Sequence, residues 1–215
     1  MKRPVSTTSI VCVALLVAAG CNYSRNKFWS AFGYEQRELL VSDVTKARDG
    51  QDAAAKQIQT TLDTFKELTN FNGGDLEKAY NKLNAAYEKS ESRAKDVREK
   101  IAKVEYTANK MFGEWNSELS QYSDPKLRAD SEQELKSTKD RYNQLITLMK
   151  TSSAKMDPVL AVFKDHVLEL KHKLNAAAIA SLSGTATKLD AEVQALIKDM
   201  QASIAEADKF IGTMK

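Results

Sequence analysis

The chain has 215 residues, with 32 Lys and Arg against 29 Asp and Glu, two Cys, eight Gly and three Pro. So little Gly and Pro argues against a turn-rich β-sandwich or barrel, and two Cys cannot build a disulfide scaffold or a four-thiolate zinc site. A net charge of +3 is too small to point to nucleic acid, whereas 28% charged and 7% aromatic residues suit long helices.

Met1-Lys2-Arg3 opens the chain, Ile10 to Ala19 is almost wholly apolar, and Gly20-Cys21 follows. A basic start, an apolar stretch of about ten residues and small residues at its end describe an export signal. The stretch is too short to span a bilayer core of about 30 Å. Ala18-Ala19-Gly20-Cys21 resembles the lipobox of bacterial lipoproteins, with Ala18 where Leu is usual. That resemblance implies cleavage after Gly20 and acylation of Cys21. The alternative is an ordinary secretory cleavage after Ala19 or Gly20 that leaves Cys21 a plain thiol. Under the same resemblance, Asp after the Cys holds a lipoprotein in the inner membrane, so Asn22 directs this chain to the periplasmic face of the outer membrane. Several acyl chains on one Cys anchor stably where a single chain does not. Residues 1–20 are therefore read as a signal peptide, 21–34 as a tether with a short aromatic segment, and 35–215 as a helical bundle domain. Loss of Lys2 and Arg3 with the signal lowers the net charge from +3 to +1.

From Glu35 the apolar residues recur at steps of three and four, the helical period. Glu35 to about Asn70 predicts a first helix, buried through Leu40, Val44, Ala47, Ala54, Ile58, Leu62 and Phe65. Phe71-Asn72-Gly73-Gly74 breaks the pattern, and two Gly permit a tight antiparallel reversal. Asp75 stands where a side-chain oxygen caps free amides. From Leu76 a seven-residue repeat runs through Tyr87, Ser90 and Val104 to Trp115, with only Ser90 interrupting it. Pro125 ends this second helix, allowing about 45 residues, or about 68 Å at 1.5 Å per residue. Ser123-Asp124-Pro125 reads as the next helix start, Asp124 capping and Pro125 in the first turn. The third run extends from Thr138 through Ser152 and Phe163 to Ala177. Its spacing stutters between Met156 and Leu160, around Pro158. That predicts a kink, or a stop restarted by Asp157 as a cap. Ser183-Gly184-Thr185 is expected to make the last turn, and Leu189 to Met214 a fourth helix. Short connections make neighbours antiparallel, so the expected fold is an all-α, elongated up-down bundle of four main helices with coiled-coil packing.

The candidate chemistry is thin. His166 and His172 lie about 240° apart around a helix and cannot share a ligand. Glu169-x-x-His172 is one step of a di-iron pattern that needs two, plus further inward carboxylates, so no metal or other cofactor is expected. Asn72-Gly73-Gly74-Asp75 lacks the spacing and the terminal Lys of a phosphate loop, and no strand precedes it. No Gly-x-Ser-x-Gly or His-Glu-x-x-His occurs. Cys12 leaves with the signal and Cys21 is taken by lipid, so no thiol nucleophile remains. Charges alternating in sign from Glu88 to Asp96 describe a solvated helix face, not a nucleic-acid track. Phe28, Trp29, Phe32 and Tyr34 lie close to the anchor. Such rings either rest at the membrane interface or fold back to plug the bundle end near Trp115 and Tyr122.

Phe32-Gly33-Tyr34-Glu35, Asn72 to Lys78, Tyr80 to Asn84, Met156 to Leu160 and Leu174-Asn175-Ala176 are together similar to a bacterial family catalogued as domain of unknown function 2959, whose members are predicted lipoproteins. The resemblance implies a helical, coiled-coil-rich secreted protein and transfers no catalytic residue. The expected function is therefore a lipid-anchored periplasmic bundle that is not an enzyme. It works as an envelope scaffold or interaction protein, with an envelope partner or a second copy of itself, and without nucleic acid or nucleotide. The alternative is a carrier for a lipid or small apolar ligand, in a groove left by the small core residues Ser90, Ala94, Ala108 and Ser152.

Overall fold

The computed structural model describes the backbone of residues 17–71 and 73–214, and the side chains of residues 34–214 apart from 72, 176 and 180. Helices α1 (Val17–Thr69), α2 (Leu76–Glu118), α3 (Pro125–Ala154), α4 (Met156–His172), α5 (Ala176–Ser181) and α6 (Ser183–Met214) account for nearly all of it, and no strand occurs among the described residues. A single 3-10 turn, Leu119–Gln121, follows α2.

The side-chain pairs between helices fix the topology. Asp43, Thr61 and Glu67 of α1 meet Thr107, Ser90 and Lys82 of α2, so numbers fall on α2 as they rise on α1. Arg48 and Lys66 of α1 likewise meet Asp208 and Asp190 of α6, and Glu105 and Arg98 of α2 meet Lys150 and Asp157 of α3 and α4. Helix α6 also packs along α3. The result is an up-down-up-down bundle in which α3 and α4 together form the third rod. Across its diagonal, Phe65 of α1 meets Phe163 of α4 edge-on, with ring centroids 6.0 Å apart.

The two reversals expected around residues 71–74 and 123–125 are present. Gly73 and Gly74 have φ of 138° and 117°, a region open to Gly but strained for side-chain-bearing residues. Asp75 accepts a hydrogen bond from the Lys78 amide, and Asp124 accepts from those of Lys126 and Leu127, each supplying an orphan donor of the first turn with a partner.

Three expectations need correction. Helix α1 does not start at Glu35; its backbone is helical from Val17, through Cys21 and the aromatic segment, with no reversal before the bundle. Of the two outcomes expected around Pro158 the third rod takes the stop and restart, but Asp157 is not the cap. Helix α3 ends at Ala154, Lys155 follows in a turn without a side-chain cap, and Asp157 pairs instead with Arg98. The cause is Pro158, which has no N–H for the Ala154 carbonyl and whose ring crowds that same carbonyl. Lastly, the third run does not reach Ala177, and the last reversal is not at Gly184. Helix α4 stops at His172, and the Asn175 side chain accepts from the Ala178 amide 2.9 Å away to start α5. Gly184 lies inside the first turn of α6. Ile179 and Leu182 are buried where α5 packs against α1, α4 and α6, closing that end of the bundle.

The core is not purely apolar. At one height Gln51, fully buried, donates to Ser152 Oγ at 2.8 Å and accepts from Ser203 Oγ at 2.9 Å, tying α1, α3 and α6 together. At a second, Thr61 lies 2.8 Å from Ser90, also fully buried, and donates to the Ala86 carbonyl. At a third, Thr107 donates to Asp43, which is 4% exposed. A register slip would strand these groups unpaired at about 1–3 kcal/mol each, so the polar layers select one alignment of otherwise similar apolar seams.

Candidate binding site

The groove expected at Ser90, Ala94, Ala108 and Ser152 does not form there. All four are at most 1% exposed, and Thr61 and Gln51 occupy the space beside the two serines. The two serines take polar partners from α1 in the space where a groove was expected.

A cavity of about 210 Å³ opens instead at the end of the bundle where α2 finishes and α3 begins. The antiparallel register of α1 and α2 sets Gln36 and Arg37 opposite Glu114 and Trp115. Met111, Trp115 and Glu118 follow one another at helical steps on the α2 face turned toward this space, with Glu114 beside them. The α2–α3 connection adds Tyr122 and α3 adds Ser131. The Trp115 indole N–H donates to Ser131 Oγ at 3.0 Å, which holds the ring in place.

The polar lining is rich in acceptors. Gln36 is 6% exposed, and among the described residues its Oε1 has no hydrogen-bond partner. One carboxylate oxygen of Glu114, Oε2, is likewise buried without a partner among the described residues. Glu118 sits one turn further along, and its carboxyl is pushed above the ordinary value, first by burial and then by the Glu114 charge. An unpaired buried acceptor costs about 1–3 kcal/mol, more for a charged group. Two buried acceptor atoms thus lie at this end of the bundle, beside a lining that also holds the Arg37 guanidinium.

The expected site residues fall elsewhere. Gly20, Cys21 and Asn22 lie on the helical backbone of α1, as do Phe28, Trp29 and Phe32, but the side chains of Cys21, Asn22, Phe28, Trp29 and Phe32 lie outside the described residues. His166 is half-buried against the Phe65 ring, centroids 5.5 Å apart, and its Nδ1 is 3.6 Å from Glu169. Glu169 thus faces His166, three residues before it, and His172 is exposed at the end of α4. Among the described residues no group of three His, Cys, Asp or Glu could hold a metal ion, and no helix is long and apolar enough to cross a membrane. Sequence reasoning missed Gln36, Glu114 and Glu118. The available signal was two glutamates one helical turn apart, flanking a core-position Trp.

A family model described as "Protein of unknown function (DUF2959)" matches residues 26–214. The chain belongs to this family. The match takes in every residue of the cavity and all four rods of the bundle, and it begins five residues after Cys21. No curated protein and no solved structure matches the chain.

Proposed function

We propose that the protein is a lipid-anchored envelope protein, fixed through Cys21 to the periplasmic face of the outer membrane, whose helical body serves as a scaffold or interaction module without catalysis. The observation that carries this reading is the Ala18-Ala19-Gly20-Cys21 sequence at the end of a basic, then apolar leader, placed just ahead of the family body that starts at residue 26. The body supports it in a second way. Of the exposed large apolar side chains, Tyr34, Leu39, Tyr122 and Leu127 sit toward the end of the bundle nearest the anchor, whereas Tyr106, Leu148 and Leu168 lie along the rest of the body. Amphipathic and apolar side chains at that end suit contact with lipid headgroups. Phe28, Trp29 and Phe32 extend the same aromatic character toward Cys21.

An interaction role requires partners that depend on the anchor. Crosslinking in cells, followed by purification from solubilised membranes, is expected to recover an envelope protein or a second copy of the chain, and to lose it in a Cys21→Ala variant. Recovery of the same species at the same level from Cys21→Ala contradicts the proposal.

A further inference from the structure

The connection between α2 and α3 descends beside α1 almost to the level of Cys21. Asp43 faces Thr107, Thr61 faces Ser90 and Glu67 faces Lys82. Carried downward, the same register sets Glu118, the last residue of α2, opposite about position 32 of α1. The 3-10 turn Leu119–Gln121 continues the descent at about 2 Å per residue, to the level of about position 28. Because α1 is helical from Val17, this leaves roughly 10 Å along the axis to Cys21. Helix α6 stops well short of that level. Arg48 faces Asp208 and Lys66 faces Asp190, so Met214 falls opposite about position 42, roughly 20 Å farther from Cys21. The α2–α3 connection is thus the lowest part of the body beside the anchor helix.

The chemistry of this tip differs from that of the body. Gln121 to Asp130 is exposed throughout, with Tyr122 at 43% and Leu127 at 55%. A single exposed Leu is ordinary. Here it shares one tip with a Tyr and two cations, and among the described residues no ion pair engages Lys126 or Arg128. The nearest acid, Asp124, accepts from the Lys126 and Leu127 amides as the helix cap, and Asp130 lies further up α3 toward the body.

We infer that this tip is a second membrane contact, an inference that rests on the Cys21 anchor proposed above. Tyr122 and Leu127 enter the headgroup layer while Lys126 and Arg128 meet the phosphates of anionic lipids. Tyr rings favour the membrane interface, and Lys and Arg keep their charges among headgroups while their stems cover apolar surface. An acylated Cys at the end of one helix leaves the rod free to swing. A foot on α2 and α3 holds it leaning to that side, so the body takes one orientation above the bilayer.

The test uses the full chain, purified in detergent and reconstituted into vesicles of phosphatidylethanolamine with a minority of phosphatidylglycerol, doped with a lipid spin-labelled at its headgroup. Ser123→Cys at the tip, or Lys173→Cys at the opposite end, carries a fluorescent dye; Cys12 has left with the signal and Cys21 is acylated. The chain is expected to float with the vesicles, with the Ser123→Cys dye quenched and the Lys173→Cys dye not. Lys126→Ala and Arg128→Ala are each expected to lower the ratio of docked to free tips about fivefold. Leu127→Asp, and replacement of phosphatidylglycerol by phosphatidylcholine, are expected to lower it too. These positions are exposed, and each variant is checked for native helicity. A chain that floats with its Ser123→Cys dye unquenched overturns the membrane contact, leaves the anchor standing and points to a protein at this tip. Equal quenching at both ends, or quenching unchanged in all three variants, also overturns it. A chain that does not float overturns the anchor and the contact together.

Discussion

Gln51 shows how a single polar side chain organises this core. It is fully buried, and its amide satisfies one hydroxyl on α3 and another on α6. Gln51→Ala removes both partners at once and leaves a hole, so it is expected to lower unfolding free energy by about 3 kcal/mol in a denaturant titration. A loss below about 1 kcal/mol contradicts that role. The position was legible: the apolar pattern of α1 steps from Ala47 to Ala54, and the heptad places position 51 on the same seam. Ser90 was visible as the interruption in its own seam, and Ser152 as a position on the third run. Their pairing was not visible, because a period states which face a residue occupies and not which residue stands across from it. Glu118 is legible only as a surface charge until burial and Glu114 raise its pKa. With the folded value above the ordinary 4.5 and the unfolded value near it, the folded state holds the proton more tightly. Stability from this group is therefore lost as pH rises from 4.5 through the raised value. Glu118→Gln is expected to melt higher than the parent at pH 7, with the difference closing below pH 4.5. A difference that stays constant with pH contradicts this assignment.

At the scale of elements, the chain marks its starts more clearly than its stops. Asp75 and Asp124 were readable as caps because an acceptor side chain just before a periodic run has one obvious use, and both accept from first-turn amides. Asp75→Ala is expected to cost about 1 kcal/mol, the usual loss at an N-cap, read as a lower thermal midpoint without loss of helicity. Asp157 looked equivalent and is not. The helix breaks three residues ahead of it, at Ala154, since a proline disturbs the carbonyl four positions before its own ring. Inside the first turn of α4, Pro158 costs that helix nothing, because its missing N–H is an orphan there anyway. The end of α4 was hidden for a different reason. Leu174 keeps the spacing beyond the true end at His172, and Ile179 and Leu182 are buried by a short separate helix whose period merges with its neighbours. Apolar spacing carries on through such a break; only the Asn175 cap signals it.

The whole molecule is a four-rod bundle whose two ends differ. One end is closed by α5, with Leu182 fully buried. The other, nearest Cys21 in sequence, carries exposed Tyr34, Tyr122 and Leu127 and a cavity lined by Gln36, Arg37, Glu114 and Glu118. That polarity suits a tethered protein, which has one end committed to a surface and a long body projecting from it. Helix α2 alone, at 43 residues, reaches about 65 Å. Fold class was readable throughout because Gly and Pro are few and the heptads are long. The cavity was not, because it is assembled from α1, α2 and α3 by a register that only the buried polar pairs define. Attachment of this body through Cys21 is decided by metabolic labelling with palmitate, read together with membrane fractionation. The parent chain is expected to incorporate label and stay with the membrane, and Cys21→Ala to do neither. A Cys21→Ala chain that still carries label would contradict it.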